Sequence, residues 1–267
     1  MSHTSYPSPA EVAIRPATFA DVEDLVEVFK ITAPLEESFR YRNQYVQQYP
    51  EDLIKYETLV HHLFISPKYS DFDVMVAEAP SIEDVTVPKV VAYAVWDVSY
   101  RNKRQWGSEY KSQNAKGDAM AQLGGVSACR HVNPIRRAAM LEADGEGSKR
   151  HFEDVYGGDG HLELVRLKTH RDYMRRGFGS ALVTWGINLA KEQHLAAVSV
   201  VSGQMGKLLY AHLGFKHLEQ VMIRAPGDTE TFTDHYMVLE LQDHKQPPQK
   251  NQSWQNERCG RRLVWDI

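Results

Sequence analysis

Cysteine is nearly absent. Only Cys129 and Cys259 occur among 267 residues, in dissimilar contexts, which excludes a disulfide-stapled scaffold and suits a reducing compartment. No apolar run approaches the roughly 20 residues that a membrane helix needs, so no membrane span is expected. Neither sign of charge dominates: the formal net charge of -4 gives no global attraction to nucleic acid or an anionic membrane. The opening MSHTSYPSPAE carries neither the basic region nor the apolar segment of a secretory signal, and cytoplasmic residence is the expectation. No internal repeat is visible. Metal-ligand spacing is missing too. His61-His62 and Cys129-Arg130-His131 lack the repeated ligand pattern of a zinc site and read as core or surface residues, so no metal is expected.

What is present is ordinary for a globular chain: 42% hydrophobic and 25% charged residues, at a length that admits one large domain or two small ones. Residues 1–11, rich in Ser and Pro, read as a disordered leader, 12–241 as a single domain, and 242–267 as a mostly flexible, Gln-rich tail whose terminal RRLVWDI could dock. Val12 to Ala17 reads as a first strand, with Thr18 and Asp21 as a capping box before a helix carrying Val22, Leu25, Val26 and Phe29 on one face. A helical region over 35–65 is broken by Pro50, because proline suits the first turn of a helix and not its interior. Tyr41, Tyr45 and Tyr49 recur every four residues and would share a helix face. They would pack or line a cleft.

Asp71–Ala79 and Lys89–Ser99 read as strands. The second, with VVAYAVWDV apolar on both faces, should be central. Residues 100–160 then lose the pattern, with polar, Gly-rich pieces around an amphipathic segment at 134–142. So long a connection is functional or partly disordered. It contains Trp106 and Tyr110, and glycine pairs at 124–125 and 157–158 that could hinge a cover over the substrate mouth. A plain surface excursion is the alternative. Further on, 196–201 reads as a strand, 203–213 as a helix, and 217–224 and 235–241 as closing strands.

The most informative stretch is 161–195. Leu162, Leu164, Val165 and Leu167 mark a strand covered on both faces. Phe178, Ala181, Leu182, Trp185 and Leu189 mark one face of a helix. Between them, Arg175-Arg176-Gly177-Phe178-Gly179-Ser180 forms a basic glycine turn at the helix start, where unpaired amides and the helix dipole favour an anion. The dinucleotide pattern G-x-G-x-x-G fails, because Leu182 stands where a third glycine belongs, and the P-loop is absent. The turn closely resembles the acetyl-CoA motif Q/R-x-x-G-x-G/A of the GNAT acetyltransferase superfamily, with Met174 departing at its first position. A second block, Leu209-Tyr210-Ala211-His212-Leu213-Gly214-Phe215, resembles that superfamily's tyrosine-bearing helix end and G-F turn, in the family's order and separation. The wording HRDYMRRGFGSALVTWG is most similar to GNAT proteins of filamentous fungi.

The resemblance implies an α/β GNAT fold: a twisted, mixed, mostly antiparallel sheet flanked by helices and split beside the fourth strand for acetyl-CoA. It implies pantetheine recognition by the backbone of Leu167, Lys168 and Thr169, and pyrophosphate recognition by the amides of Arg175, Arg176, Gly177, Phe178, Gly179 and Ser180. The expected activity is direct acetyl transfer from acetyl-CoA to an amine, favouring a small-molecule acceptor over a protein lysine or N-terminus. A non-catalytic acyl-CoA-binding protein is the reading from another class. An amine with a pKa near about 10.4 is mostly protonated at neutral pH, so a base is required. Glu163 is the candidate, placed by alternation on the side of Val165 and Leu167 and matching the catalytic glutamate of histone-acetylating members. Otherwise it pairs with a basic residue. Tyr210 matches the tyrosine that family members place beside the thioester sulfur, where a phenol can donate to developing thiolate. Otherwise it is a core tyrosine. Ser202-Gly203-Gln204 stands where many members have Asn, leaving one cofactor contact unassigned.

Overall fold

The computed structural model describes residues 12–82, 86–107 and 109–241. The expectations for the leader, the tail and Cys259 lie outside them.

Seven strands join one open sheet: β1 (Ile14–Pro16), β2 (Phe72–Pro80), β3 (Pro88–Asp97), β4 (His161–Thr169), β5 (Ala197–Ser202), β6 (Lys216–Ile223) and β7 (Phe232–Glu240), in the order β1-β2-β3-β4-β5-β7-β6. All neighbours are antiparallel except β4 and β5. A parallel pair needs a crossover connection, here the helix α8 (Phe178–Glu192). The sheet is thus the mixed, mostly antiparallel one expected. β3 is central, and Val90 to Trp96 are buried on both faces. β7 starts three residues before the expected 235, because Phe232, Thr233 and Asp234 pair with Ile223, Met222 and Val221 of β6. Pairing thereby outweighs the low strand propensity of that polar segment.

Helix α1 (Val22–Thr32) and α3 (Pro50–Ile65) cover one face of β2–β4, and Pro50 occupies the first helical turn as expected. The Thr18 amide donates to the Asp21 carboxylate at 2.6 Å, the half of the capping box that fixes the chain's entry into α1. The opposite face packs on α8 and α9 (Gln204–His212) through Leu162, Leu164, Phe178, Leu182, Val198, Val200 and Tyr210. The tyrosine periodicity does not become one helix face. Helix α2 (Glu37–Arg42) ends before Tyr45, and of the three only Tyr41 lies on it. Its hydroxyl accepts from the Ala225 amide, while Tyr49 lies under Arg130.

The connection between β3 and β4 is helical. It contains α4 (Tyr100–Trp106), α5 (Ala115–Gln122), α6 (Pro134–Ser148), a π-helical turn (Lys149–Glu153) and α7 (Asp154–Tyr156). Rather than hinging freely, it docks. Ala115, Ala119, Met120, Cys129 and Val132 join the core beside α3, and Met140 joins Tyr41, Ile223 and Phe232. Polar locks hold its ends: Asp71 accepts from Asn102, Tyr110 and the Gln113 amide, Arg130 pairs with Asp52, and Arg136 reaches Asp228 and Glu230. Trp106 stays exposed.

Candidate active site

β4 pairs with β5 only from His161 to Leu164, against Ala197 to Val200. Beyond that point β4 follows β3 up to Thr169, while β5 follows β7 up to Ser202. The two strands therefore part, and the β5-facing backbone of 165–169 is left without a strand partner. That gap is the split expected from the sequence. It exposes the backbone of Leu167, Lys168 and Thr169 on one side, the geometry in which an extended amide-bearing chain can add to a sheet edge.

The glycine turn follows directly. Arg175 has φ 64° and Gly177 has φ 89°, so the chain twice enters the left-handed region before α8 starts at Phe178. Glycine takes that conformation without cost, whereas the same conformation at Arg175 is uncommon for a side chain-bearing residue. The first bond of the following turn is Ala181 N–H to the Gly177 carbonyl, at 2.9 Å. The amides of Phe178, Gly179 and Ser180 precede that ladder, as at any helix start. A Cβ on Gly179 would meet Leu209, Thr169 and Leu167 at ordinary contact distances, so packing inside the protein does not require glycine there. Arg176 lies over the Tyr173 ring at 5.1 Å, and Arg175 is exposed.

On the other face of β4 lies a polar floor. A bulge shifts the register between β3 and β4: Val95 pairs with Arg166 and Trp96 with Leu164, leaving Val165 as the extra residue. A bulge of this kind re-aims the side chains after it. Glu163 and Val165 share the face toward α3 and α5 as expected, but Leu167 does not. It packs with the α8-side core, and Arg166 and Lys168 take the place that simple alternation assigned to it.

Arg166 donates to Glu57 at 2.7 Å and lies 4.7 Å over the Phe29 ring. Burial alone would push Glu57 up, but the Arg166 guanidinium beside it outweighs this and holds its carboxyl below the usual range. His61 Nδ1 lies 2.7 Å from the Glu57 carbonyl, which can only accept, so Nδ1 carries the proton. Nε2 then accepts from the Tyr93 hydroxyl at 3.0 Å. Burial, with Arg166 nearby, pushes the His61 imidazole down to about 4, so it is neutral at physiological pH. Lys168 donates to Glu36, and burial lowers its ammonium. Its side chain therefore faces the α1–α2 side, and the role expected for it in cofactor binding concerns its backbone alone. This network of Glu57, His61, Tyr93, Arg166, Lys168 and Glu36 was not anticipated. Its signal was two basic residues on a central strand, which burial obliges to find partners.

Glu163 stands apart from the network. It is half-buried, and its carboxylate forms no hydrogen bond among the described residues. Burial raises its pKa to about 7, the neighbouring Asp97 adds to the shift, and Lys116 on α5 opposes it. The charges that act on it include Lys116, Asp144 and Glu153, all from the 100–160 connection, so that connection borders the Glu163 side of the sheet. Lys116 is itself pushed down to about 8, first by burial and then by Arg166 and Arg42.

Tyr210 is 5% exposed on α9, with its ring 5.6 Å from Phe215 in the G-F turn. Its hydroxyl has no hydrogen-bond partner among the described residues. Burial, with Glu36 nearby, holds the phenol protonated well above neutrality. Gln204 is occupied with His235 at 2.9 Å. Among the described residues no cluster of His, Cys, Asp and Glu could hold a metal, and no helix is long and apolar enough to cross a membrane. A surface hollow of about 460 Å³ beside Phe39, Leu53 and Arg136 contains none of the site residues above.

A sheet parting beside its fourth strand, with a glycine turn at the head of the crossover helix, is the arrangement that the sequence resemblance to GNAT acetyltransferases implies. No family model matches the chain. It is similar to an acetyltransferase of the filamentous fungus Stachybotrys chartarum, 25% identical over 242 residues that span 87% of this chain and 92% of the relative. Solved structures similar to it include the PaiA N-acetyltransferase of Thermoplasma acidophilum in complex with coenzyme A, at 14% identity and TM-score 0.47, covering 86% of this chain and 99% of that one. Another is a ribosomal-protein-alanine N-acetyltransferase of Brucella melitensis, at 15% identity and TM-score 0.44, covering 86% and 99%. Likenesses this low assign no residue role. The resemblance to GNAT acetyltransferases, most of all fungal ones, has its counterpart in a relative matched over most of both chains.

Proposed function

We propose that this chain is an acetyl-CoA-dependent N-acetyltransferase that passes the acetyl group directly to a small-molecule amine within a ternary complex. The observation that carries the reading is the parting of β4 from β5, with the Gly177 turn beyond its open end and Glu163 among the paired residues just before it. Pantetheine would run along the backbone of 167–169, and the pyrophosphate would meet the amides of Arg175–Ser180 at the positive end of α8.

The chemistry divides between two side chains. The Glu163 carboxylate takes a proton from the ammonium of the acceptor, and a pKa of about 7 poises it between acceptance and release at neutral pH. The freed nitrogen lone pair attacks the thioester carbonyl carbon. As the new C–N bond forms and the C–S bond breaks, the protonated Tyr210 phenol donates to the sulfur that receives the electron pair. In balance, ammonium and thioester give amide, thiol and one proton. The docked 100–160 connection brings Lys116, Asp144 and Glu153 into the surroundings of Glu163, and a site bordered in this way favours a compact acceptor over an extended protein segment.

Release of free thiol from acetyl-CoA across a panel of amines tests the reading. Turnover with amines that requires Glu163 is the expected result. Tight acetyl-CoA binding with no release above background for any amine would replace the transferase by an acyl-CoA-binding protein.

A further inference from the structure

Asp234 is 5% exposed, yet its carboxylate forms neither a hydrogen bond nor an ion pair among the described residues. A buried carboxylate left without partners is costly and calls for an explanation. Its place in the fold is well defined. Phe232, Asp234 and Tyr236 alternate along β7. Phe232 packs on Tyr41 at 5.0 Å, and the Tyr236 hydroxyl donates to the Ala143 carbonyl of α6 at 3.1 Å. Asp234 therefore points between these rings, beneath α2 and α6.

The residue after Ala143 is Asp144. One of its carboxylate oxygens is also buried and unpartnered. Gly147, one turn on, brings α6 this close, since a Cβ there would overlap the Tyr236 ring. Asp144 lies close enough to act on Asp234. Burial raises Asp234 to about 7, with Asp144 and Glu36 adding to the shift and Arg42 opposing it, and burial likewise raises Asp144. Asp144 also acts on Glu163. Beside Glu163 on the floor, paired with it across the strands, lies Ser199, fully buried and with its hydroxyl unpartnered. Ser199 on β5 and Asp144 on α6 thus each leave a buried polar atom without a partner among the described residues. Arg42 and Lys116 are the cations near them, and neither forms an ion pair with Asp144 or Asp234.

We infer that Asp144 and Asp234 form a subsite for a second ammonium that stays protonated, so that the acceptor is a diamine or polyamine acetylated at the nitrogen that reaches Glu163. The inference rests on the N-acetyltransferase reading and extends it to the substrate. One nitrogen must lose its proton to react. The other keeps its charge and donates to both carboxylates, satisfying groups that the folded protein leaves bare.

The test compares α,ω-diaminoalkanes of increasing length with n-alkylamines of the same length, measuring kcat/KM from thiol release. At the matching length the diamine should exceed the monoamine by about 10- to 100-fold, the worth of one or two charge-assisted hydrogen bonds. Asp234→Asn should bring the diamine down toward the monoamine, mainly through KM, with acetyl-CoA affinity unchanged by calorimetry. Asp144→Asn, on the more accessible helix, should do the same and serves if Asp234→Asn does not fold. Equal efficiency for diamines and monoamines, or a diamine preference that survives both substitutions, would overturn the subsite while leaving the acetyltransferase intact. Failure of every amine with acetyl-CoA bound would overturn both readings.

Discussion

Replacing Glu163 with Gln removes one ionisable group from the floor of the split and keeps its volume. Near pH 7.4 an amine with a pKa of about 10.4 is neutral in roughly one molecule per thousand. If Glu163 supplies the missing deprotonation, the substitution should lower kcat/KM at neutral pH by about 100- to 10,000-fold. The loss should recover by about tenfold per pH unit as solution deprotonates the amine, and the wild-type limb near pH 7, set by Glu163 itself, should vanish. A second readout is thermodynamic. Burial places the folded pKa of Glu163 at about 7, above the roughly 4.3 of an unfolded glutamate. The stability it contributes is therefore complete below about pH 4 and is lost as pH rises through about 7. Gln escapes that loss, so the melting temperature of Glu163→Gln should gain on the wild type between about pH 4 and pH 7.5 and then run level with a constant lead. Steady-state rates from pH 6 to 10 and melting scans over the lower range check both. A near-normal rate with an unchanged pH profile would remove Glu163 as the base. A melting difference independent of pH would deny its raised pKa.

Tyr210→Phe should lower kcat by about 10- to 100-fold with little change in the KM for acetyl-CoA, because only the donor to sulfur is lost; stopped-flow thiol release reads it. Gly179→Val should weaken acetyl-CoA binding by at least about tenfold in calorimetry with little change in melting temperature, since the first added carbon meets only ordinary contacts within the protein. Glu57→Gln should destabilise the fold by about 3–5 kcal/mol in urea unfolding, because it leaves the Arg166 guanidinium buried without its counter-charge. Unchanged stability there would mean that Arg166 finds another partner or solvent.

The fold was legible where a pattern repeats and ends on a distinct residue. β4 takes in all four of the residues that marked it, Leu162, Leu164, Val165 and Leu167, and Pro50 marked the break between α2 and α3. The left-handed turn at Gly177 was legible because glycine is a local requirement. What escaped was set by distant neighbours. Nothing near Val165 announces a bulge, so alternation carried Leu167 to the wrong face. Helix α5 and the part of α6 beyond the amphipathic segment at 134–142 were hidden by Gly117, Gly145 and Gly147, which weaken helix propensity. Asp144 and Asp234 are 90 positions apart, and their elements are brought together where Tyr236 of β7 bonds to Ala143 of α6.

The bulge at Val165 gives β4 two phases. Before it, the strand shows Leu162 and Leu164 to α8 and Glu163 to the opposite side. After it, Leu167 and Thr169 take over toward α8, while Arg166 and Lys168 turn to Glu57 and Glu36. One residue thus acts as a frame shift in space. Every position toward the parted end depends on it for its face. Evolution along this strand is consequently freer to exchange side chains than to change its length. Losing a single residue near 165 would carry a guanidinium and an ammonium toward the apolar core under α8, and a leucine into the ion pairs.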